Sequence, residues 1–233
     1  GKQDWDSVRA IQNAILDSYD RDFSKHVPAE QLSKVRDVWA AIPSQLGKAK
    51  KRFKYTEVSP GSRARTYESA IGWLTQAGLA CRVDQISAPR LPLASYADER
   101  GFKLYQLDVG LLGAQSKLDP GVVVQGDTLF TEFKGSLAEQ FVASHLVGAL
   151  GSRPYYWVSQ GTAEVDFVVQ LKNQVVPIEV KSGGNVKAKS LAVYRSRYAP
   201  KSAVRLSPLP YRAQDGLVNL PLYAVQHLPS VLS

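Results

Sequence analysis

Ala163-Glu-Val-Asp-Phe-Val-Val169 and Val176-Pro-Ile-Glu-Val-Lys181 are the two runs that decide how this chain folds. Both are short and rich in β-branched residues, and Lys172-Asn173 stands between them as a turn, so residues 164–171 and 175–181 read as the arms of a hairpin. Side chains alternate along a strand, which puts Glu179 and Lys181 on one face and Ile178 and Val180 on the other. A carboxylate and an amine two residues apart on one face of a core strand need a chemical reason.

The flanking segments supply the setting. Residues 155–158 read as a strand. Before them, residues 133–150 read as a long amphipathic helix with Leu137, Phe141, Val142, His145, Leu146 and Ala149 turned inward. Beyond the hairpin, Ser182-Gly-Gly-Asn185 ends the strand. Residues 189–198 read as a helix, 203–206 as a further strand, and Leu220-Pro-Leu-Tyr223 leads into a C-terminal helical turn. Helix, strand, hairpin partner, helix, strand is an α/β order, with Glu139 on the helix and Asp166 and Glu179 on neighbouring strands. Phosphodiester hydrolysis needs charge neutralisation at the phosphate and a deprotonated water, and a hard divalent cation such as Mg²⁺ or Mn²⁺ on oxygen ligands supplies both. Glu139, Asp166 and Glu179 are the candidate metal ligands. Lys181 is the candidate to polarise the attacking water or hold the phosphate. Against this stands a plainer reading, in which Glu179 and Lys181 form a surface ion pair of little worth and Glu139 is a solvated helix position.

The N-terminal half is helical in pattern. Trp5, Val8, Ile11, Ile15, Leu16 and Tyr19 recur at helical steps over residues 4–25, and Leu32, Val35, Val38 and Trp39 do so over 29–42, where Pro43-Ser44 is expected to break the helix. A third helix, 63–77, is expected to start at a Ser62 cap and stop at Gly78. Residues 79–86 and 102–107 alternate like strands on either side of a Pro-rich loop. Three helices and a two-stranded ribbon are the outline of a winged helix, whose helix before the ribbon would read DNA. Asp108 reads as the cap of a short helix, and residues 119–128 as a loop linking two bodies. The domains expected are 1–108, helical and winged-helix-like, and 109–233, α/β, giving a mixed α/β fold overall.

The basic run Lys48-Ala-Lys-Lys-Arg-Phe-Lys54, with Arg63 and Arg65 after it, is the candidate nucleic-acid contact through Lys48, Lys50, Lys51, Arg52, Lys54, Arg63 and Arg65. It also reads as a solvated loop or a docking surface for another domain. Phe53 and Tyr55 are expected to anchor it to the core, and Trp39 and Trp73 to lie in that core. A net charge of +8 over 233 residues favours anionic partners, nucleic acid before membrane. Cys81 is the single cysteine, which excludes an internal disulfide and a CxxC metal site and fits a reducing compartment. His26, His145 and His227 carry no metal-ligand spacing, and His145, among apolar neighbours, reads as packed. No signal peptide and no membrane-length apolar run is present, so a cytoplasmic protein without a membrane is expected. The absence of methionine and the Gly1 start read as a fragment with a trimmed terminus.

Ala163-Glu-Val-Asp-Phe-Val168 followed by Ile178-Glu-Val-Lys-Ser-Gly183 resembles the PD-(D/E)XK nuclease core. Further segments in order along the chain, among them Asp17-Ser-Tyr-Asp-Arg-Asp-Phe-Ser-Lys25, Trp73-Leu-Thr-Gln-Ala-Gly-Leu79, Lys103-Leu-Tyr-Gln-Leu-Asp-Val-Gly-Leu-Leu112 and Glu139-Gln-Phe-Val142, resemble the C-terminal part of a prokaryotic AAA+ ATPase family. That resemblance implies an N-terminal ATPase, a winged helix and a nuclease-like domain of uncharacterised function, with Glu139, Asp166, Glu179 and Lys181 on the nuclease-like positions. The Pro-Asp of the motif is Val165-Asp166 here, which keeps the acid. No Gly-x-x-x-x-Gly-Lys-[Ser/Thr] occurs, so ATP hydrolysis is not assigned to this chain. The leading expectation is a DNA-binding, Mg²⁺-dependent nuclease module serving an ATP-driven partner domain. The alternative is a non-catalytic nuclease-like adaptor that binds DNA or protein. A transcription regulator using the winged helix alone would leave the four-residue constellation unused.

Overall fold

Helix α1 (Trp5–His26) begins where Asp4 accepts the Ser7 amide at 3.0 Å, a side-chain cap that satisfies one of the open amides of the first turn. It opens a computed structural model that describes residues 4–125, 131–184 and 187–232. The chain divides into two compact units, Gly1–Cys81 with Leu104–Leu137, and Arg82–Lys103 with Ala138–Ser233. The fold is mixed α/β, a helical N-terminal part followed by a sheet-containing region.

The first unit holds α1, α2 (Ala29–Leu46), α3 (Ala64–Gln76), α4 (Val109–Gln115), α5 (Pro120–Gln125) and the start of α6 (Thr131–Leu150). Its core is built on Phe23, whose ring meets Trp39 and Trp73 edge-on at 5.9 and 5.7 Å, with Val35, Val38, Ile42, Ile71 and Leu74 buried around it. Pro43 was expected to end α2, but the helix continues to Leu46. A proline inside a helix leaves the carbonyl four residues back without its amide, and here the Trp39 carbonyl accepts from Gln115 Nε2 at 2.9 Å instead. Helix α3 stops as expected. Gly78 takes φ +71°, its amide donates to the Thr75 carbonyl, and the Leu79 amide donates to the Leu74 carbonyl at 3.0 Å. The Ser62 cap is not formed; Arg63 holds the cap position and Ser62 belongs to the preceding turn. Asp108 caps α4 through the Leu111 amide at 2.9 Å. The stretch 119–128, expected as a loop, contains α5, and residues 126–128 lie outside the described ones.

The bulk of an eight-stranded sheet lies in the second unit, in the order β2-β1-β3-β4-β5-β6-β8-β7. The strands are β1 (Ala80–Ile86), β2 (Ala97–Gln106), β3 (Tyr155–Val158), β4 (Glu164–Leu171), β5 (Gln174–Val180), β6 (Ala203–Ser207), β7 (Arg212–Gln214) and β8 (Leu217–Pro221). Strands β1 and β2, expected as a two-stranded ribbon, form one edge of this sheet, with β1 paired in parallel to β3. Strands β3, β4 and β5 run as an antiparallel meander. Helix α7 (Lys189–Tyr198) then carries the chain over to β6, parallel to β5, and β8 adds in parallel to β6. The β4–β5 turn places Lys172 at φ +53°. Helix α7 buries Leu191 and Tyr194 against Trp157, Val165, Val168 and Ala203. Asn185, expected to end β5, lies outside the described residues. The chain closes through a 3-10 turn, Leu222–His227, and α8 (Leu228–Val231).

Candidate functional site

Strand β5 pairs with β4 so that Phe167 faces Ile178, which brings Asp166 opposite Glu179 on the next rung. Both neighbours of Glu179 in β5, Ile178 and Val180, are buried on the opposite face, and this fixes the register. Helix α6 adds Glu139, which is buried, as is Glu179. The Asp166 carboxylate accepts the Val180 amide at 2.8 Å. Lys181 Nζ donates to Glu179 Oε1 at 2.7 Å, while Glu179 Oε2 is buried without a hydrogen-bond partner. The surface ion-pair reading of Glu179 and Lys181, and the solvated reading of Glu139, therefore do not describe these groups.

The residue that sequence reasoning missed is Lys103, from β2. It is fully buried, with Nζ 2.5 Å from Glu164 Oε1, 3.9 Å from Glu139 Oε2 and 5.0 Å from the Tyr156 ring centroid. Burial alone would push its pKa down. Glu139, Glu164 and Asp166 override that and hold it above the usual lysine range. The signal lies in the packing and not in the sequence: Phe102, Lys103, Leu104, Tyr105 and Gln106 are all buried, and a lysine within such a run requires an acidic partner.

Asp166 and Glu179 are perturbed by burial and by their charged neighbours. Asp166 is raised well above the ordinary aspartate value, by burial first and then by Glu139 and Glu179, with Lys103 and the Val180 amide pulling it back. Glu179 is raised by burial, against the pull of Lys181. Four carboxylates, Glu139, Glu164, Asp166 and Glu179, meet two ammonium groups, Lys103 and Lys181, so two negative charges are in excess. Hard oxygen donors, an unpartnered buried carboxylate oxygen and a double negative excess fit a divalent cation in donor chemistry. The ligand shell is not preassembled: among the described residues no group of three or more His, Cys, Asp and Glu stands ready to hold a metal ion. The Lys103 ammonium lies beside two of these carboxylates, Glu164 and Glu139.

The basic segment belongs to the first unit, between α2 and α3. Lys48 and Lys54 converge on Glu57, at 2.7 and 3.1 Å, and Lys50, Arg52, Arg63 and Arg65 are exposed, Lys51 half-buried. Phe53 is buried with its ring 5.5 Å from Tyr55, so it anchors the loop. His145 packs within α6, Nδ1 2.7 Å from the Phe141 carbonyl. Among the described residues no helix is long and apolar enough to cross a membrane.

A family model described as a domain of unknown function, DUF8612, matches residues 2–121, more than half of the chain. The chain belongs to this family. A second model, also a domain of unknown function, DUF4143, matches residues 134–225. No curated protein and no solved structure matches the chain. The charged cluster draws on both stretches: Lys103 lies in the DUF8612 segment, and Glu139, Glu164, Asp166, Glu179 and Lys181 lie in the DUF4143 segment.

Proposed function

We propose that the sheet-containing region is a nuclease-like phosphodiesterase module acting on DNA with Mg²⁺ or Mn²⁺, and that it serves an AAA+ ATPase domain. The observation that carries this reading is the pairing of Asp166 with Glu179 across β4 and β5, with Glu139 close enough to raise the pKa of both. The chain order α6, β3, β4, β5, α7, β6 supports it, because the acid stands on the middle strand of the meander and Glu-Val-Lys on the next. The second family model supports the partner, since that domain typically forms the C-terminal region of AAA-ATPase-like proteins.

In this reading Glu139, Asp166 and Glu179 would hold the cation, which would neutralise phosphate charge and acidify a water. The chain's own groups do the rest. Glu179 offers Oε2, the oxygen without a donor, while Oε1 is kept by Lys181. Lys181 retains partial exposure and so can also hold a phosphate oxygen or pass a proton. Lys103 offsets part of the acidic charge from the buried side. The basic segment of the first unit would add phosphate contacts through Lys50, Lys51 and Arg52, alongside Lys48, Lys54, Arg63 and Arg65.

A second reading, the non-catalytic adaptor, is favoured by one observation: the buried Lys103 ammonium already partly neutralises the cluster, and no ready ligand group stands among the described residues. Plasmid nicking separates the two. Supercoiled DNA is nicked by the full chain in Mg²⁺ or Mn²⁺ and not by Glu179→Ala. Nicking that survives this change would remove the site from the reaction. Calorimetric Mn²⁺ binding that is lost in Asp166→Ala would decide against the adaptor.

A further inference from the structure

We propose that the cleft framed by Arg195 of α7, Arg205 of β6 and Arg212 of β7 binds the phosphodiester backbone of a nucleic acid and leads it toward the carboxylate cluster. The cleft is a cavity of about 200 Å³, and Asp215 is its one carboxylate. It adjoins a hollow of about 370 Å³ that shares Arg195 and Arg205 and adds Lys187 over an apolar floor that includes Leu217. Three guanidinium groups and an ammonium against a single carboxylate give the double hollow a strongly positive lining.

The guanidinium groups are held by neutral acceptors. Arg195 Nη2 donates to the Asp215 carbonyl, Arg205 Nε to Asn219 Oδ1 at 3.0 Å, and Arg212 Nη2 to Gln214 Oε1 at 2.7 Å. Such bonds orient the planar forks. Among the described residues neither Arg195 nor Arg212 is in an ion pair. Oriented guanidinium forks suit phosphate oxygens, which accept two parallel N–H bonds.

The register connects this cleft to the acids. Glu179 is the β-partner of Arg205, Arg205 of Asn219, and Asn219 of Arg212. Partners on adjacent strands project to the same face, so one row across the sheet runs Asp166, Glu179, Arg205, Asn219, Arg212. Three strand spacings separate Glu179 from Arg212, about 14 Å at ~4.8 Å each. An isolated anion needs one fork; a row of this length suits a chain of phosphates. The direction of the backbone, toward Glu179, rests on the phosphodiesterase reading. The binding itself does not.

The test is fluorescence anisotropy of a fluorescein-labelled oligonucleotide with the full chain in EDTA, so that binding is read without cleavage. Arg195→Ala with Arg212→Ala should weaken binding about tenfold or more and flatten the log–log salt slope by about two. Arg212→Gln alone, at an exposed position whose loss spares the Arg195 bond to Asp215, should flatten it by about one. Far-UV circular dichroism checks that each variant is folded. Affinity and slope unchanged in both folded variants would overturn the cleft. Displacement of the probe by inorganic phosphate at matched phosphate concentration would mean an isolated-anion site and would overturn the backbone claim. The plasmid assay keeps this apart from the reaction. Wild-type nicking by the double variant sinks the cleft and spares the phosphodiesterase. Arginine-dependent binding with no nicking supports the cleft and sinks the phosphodiesterase.

Discussion

Lys103→Met tests how the charged cluster is held together. Methionine keeps an unbranched stem of similar volume and removes the charge. Lys103 Nζ lies 2.5 Å from Glu164 and 3.9 Å from Glu139, with no solvent exposure to soften the loss. A lysine whose pKa is raised on folding contributes stability that is fully present below the unfolded value and is lost only as pH climbs through the folded one, so at neutral pH all of it is present. Removing one partner of a buried charged set costs about 3–5 kcal/mol. With a urea slope of about 1–3 kcal/mol per molar, the midpoint should fall by roughly 2 M. The pH dependence carries a second sign. Lys103 lowers the pKa of Asp166 and of Glu179, so its removal raises both further. A carboxylate whose folded pKa lies above the unfolded value costs stability when ionised, and the cost fades as pH falls through the folded value. The variant's deficit should therefore be largest above the folded values of these carboxylates and shrink as pH falls through them. Urea unfolding followed by far-UV circular dichroism and by Trp157, the tryptophan of the second unit, measures both. A deficit below about 1 kcal/mol at neutral pH, or one that grows on acidification, would refute the buried-ammonium account.

Glu179→Gln should raise the melting temperature while abolishing nicking. Burial raises the pKa of Glu179, so its charge costs stability above the unfolded value; the variant should gain up to about 1 kcal/mol above the folded value, and the gain should vanish as pH falls through it. Equal melting temperatures across that range would show that the charge is not held against burial. Ala199→Gly should stabilise the chain by about 0.5–1 kcal/mol, because Ala199 closes α7 in the left-handed region at φ +43°; urea unfolding that shows no gain would locate the strain elsewhere.

The central hairpin was legible because its three signals agree: β-branched runs on both sides, alternating polar positions and a turn pair between them. The α4 cap was legible for a local reason, since Asp108 needs only its own amide neighbours. Pro43 misled because the rescue of the Trp39 carbonyl comes from Gln115, 76 residues away, and no window of sequence contains both. The β7–β8 hairpin carries a local signal in its turn pair. Asp215-Gly216 takes φ +50° and +70°, the positive pair that a tight hairpin turn requires, between Arg212–Gln214 and Leu217–Pro221. Of the cluster, Glu139, Asp166, Glu179 and Lys181 were legible as a pattern. Lys103 was not, because β2 is an edge strand by sheet order, and only the tertiary packing that buries residues 102–106 shows that its ammonium is enclosed.

The sheet order also explains why the cluster is costly to keep. Replacing a buried charged set by apolar residues of similar volume is often neutral or stabilising, so packing alone gives no reason for a buried ammonium on β2 and four carboxylates on α6, β4 and β5. Two negative charges remain after Lys103 and Lys181 are counted, and they can be met in two ways. Protons on Asp166 and Glu179 would meet them, and burial moves the pKa of each in that direction. A divalent cation would meet them too, and would have to displace those protons. The adaptor needs only the first state and the phosphodiesterase needs both. Cation binding by this cluster should thus release protons, and the raised carboxylates are the store from which they would come.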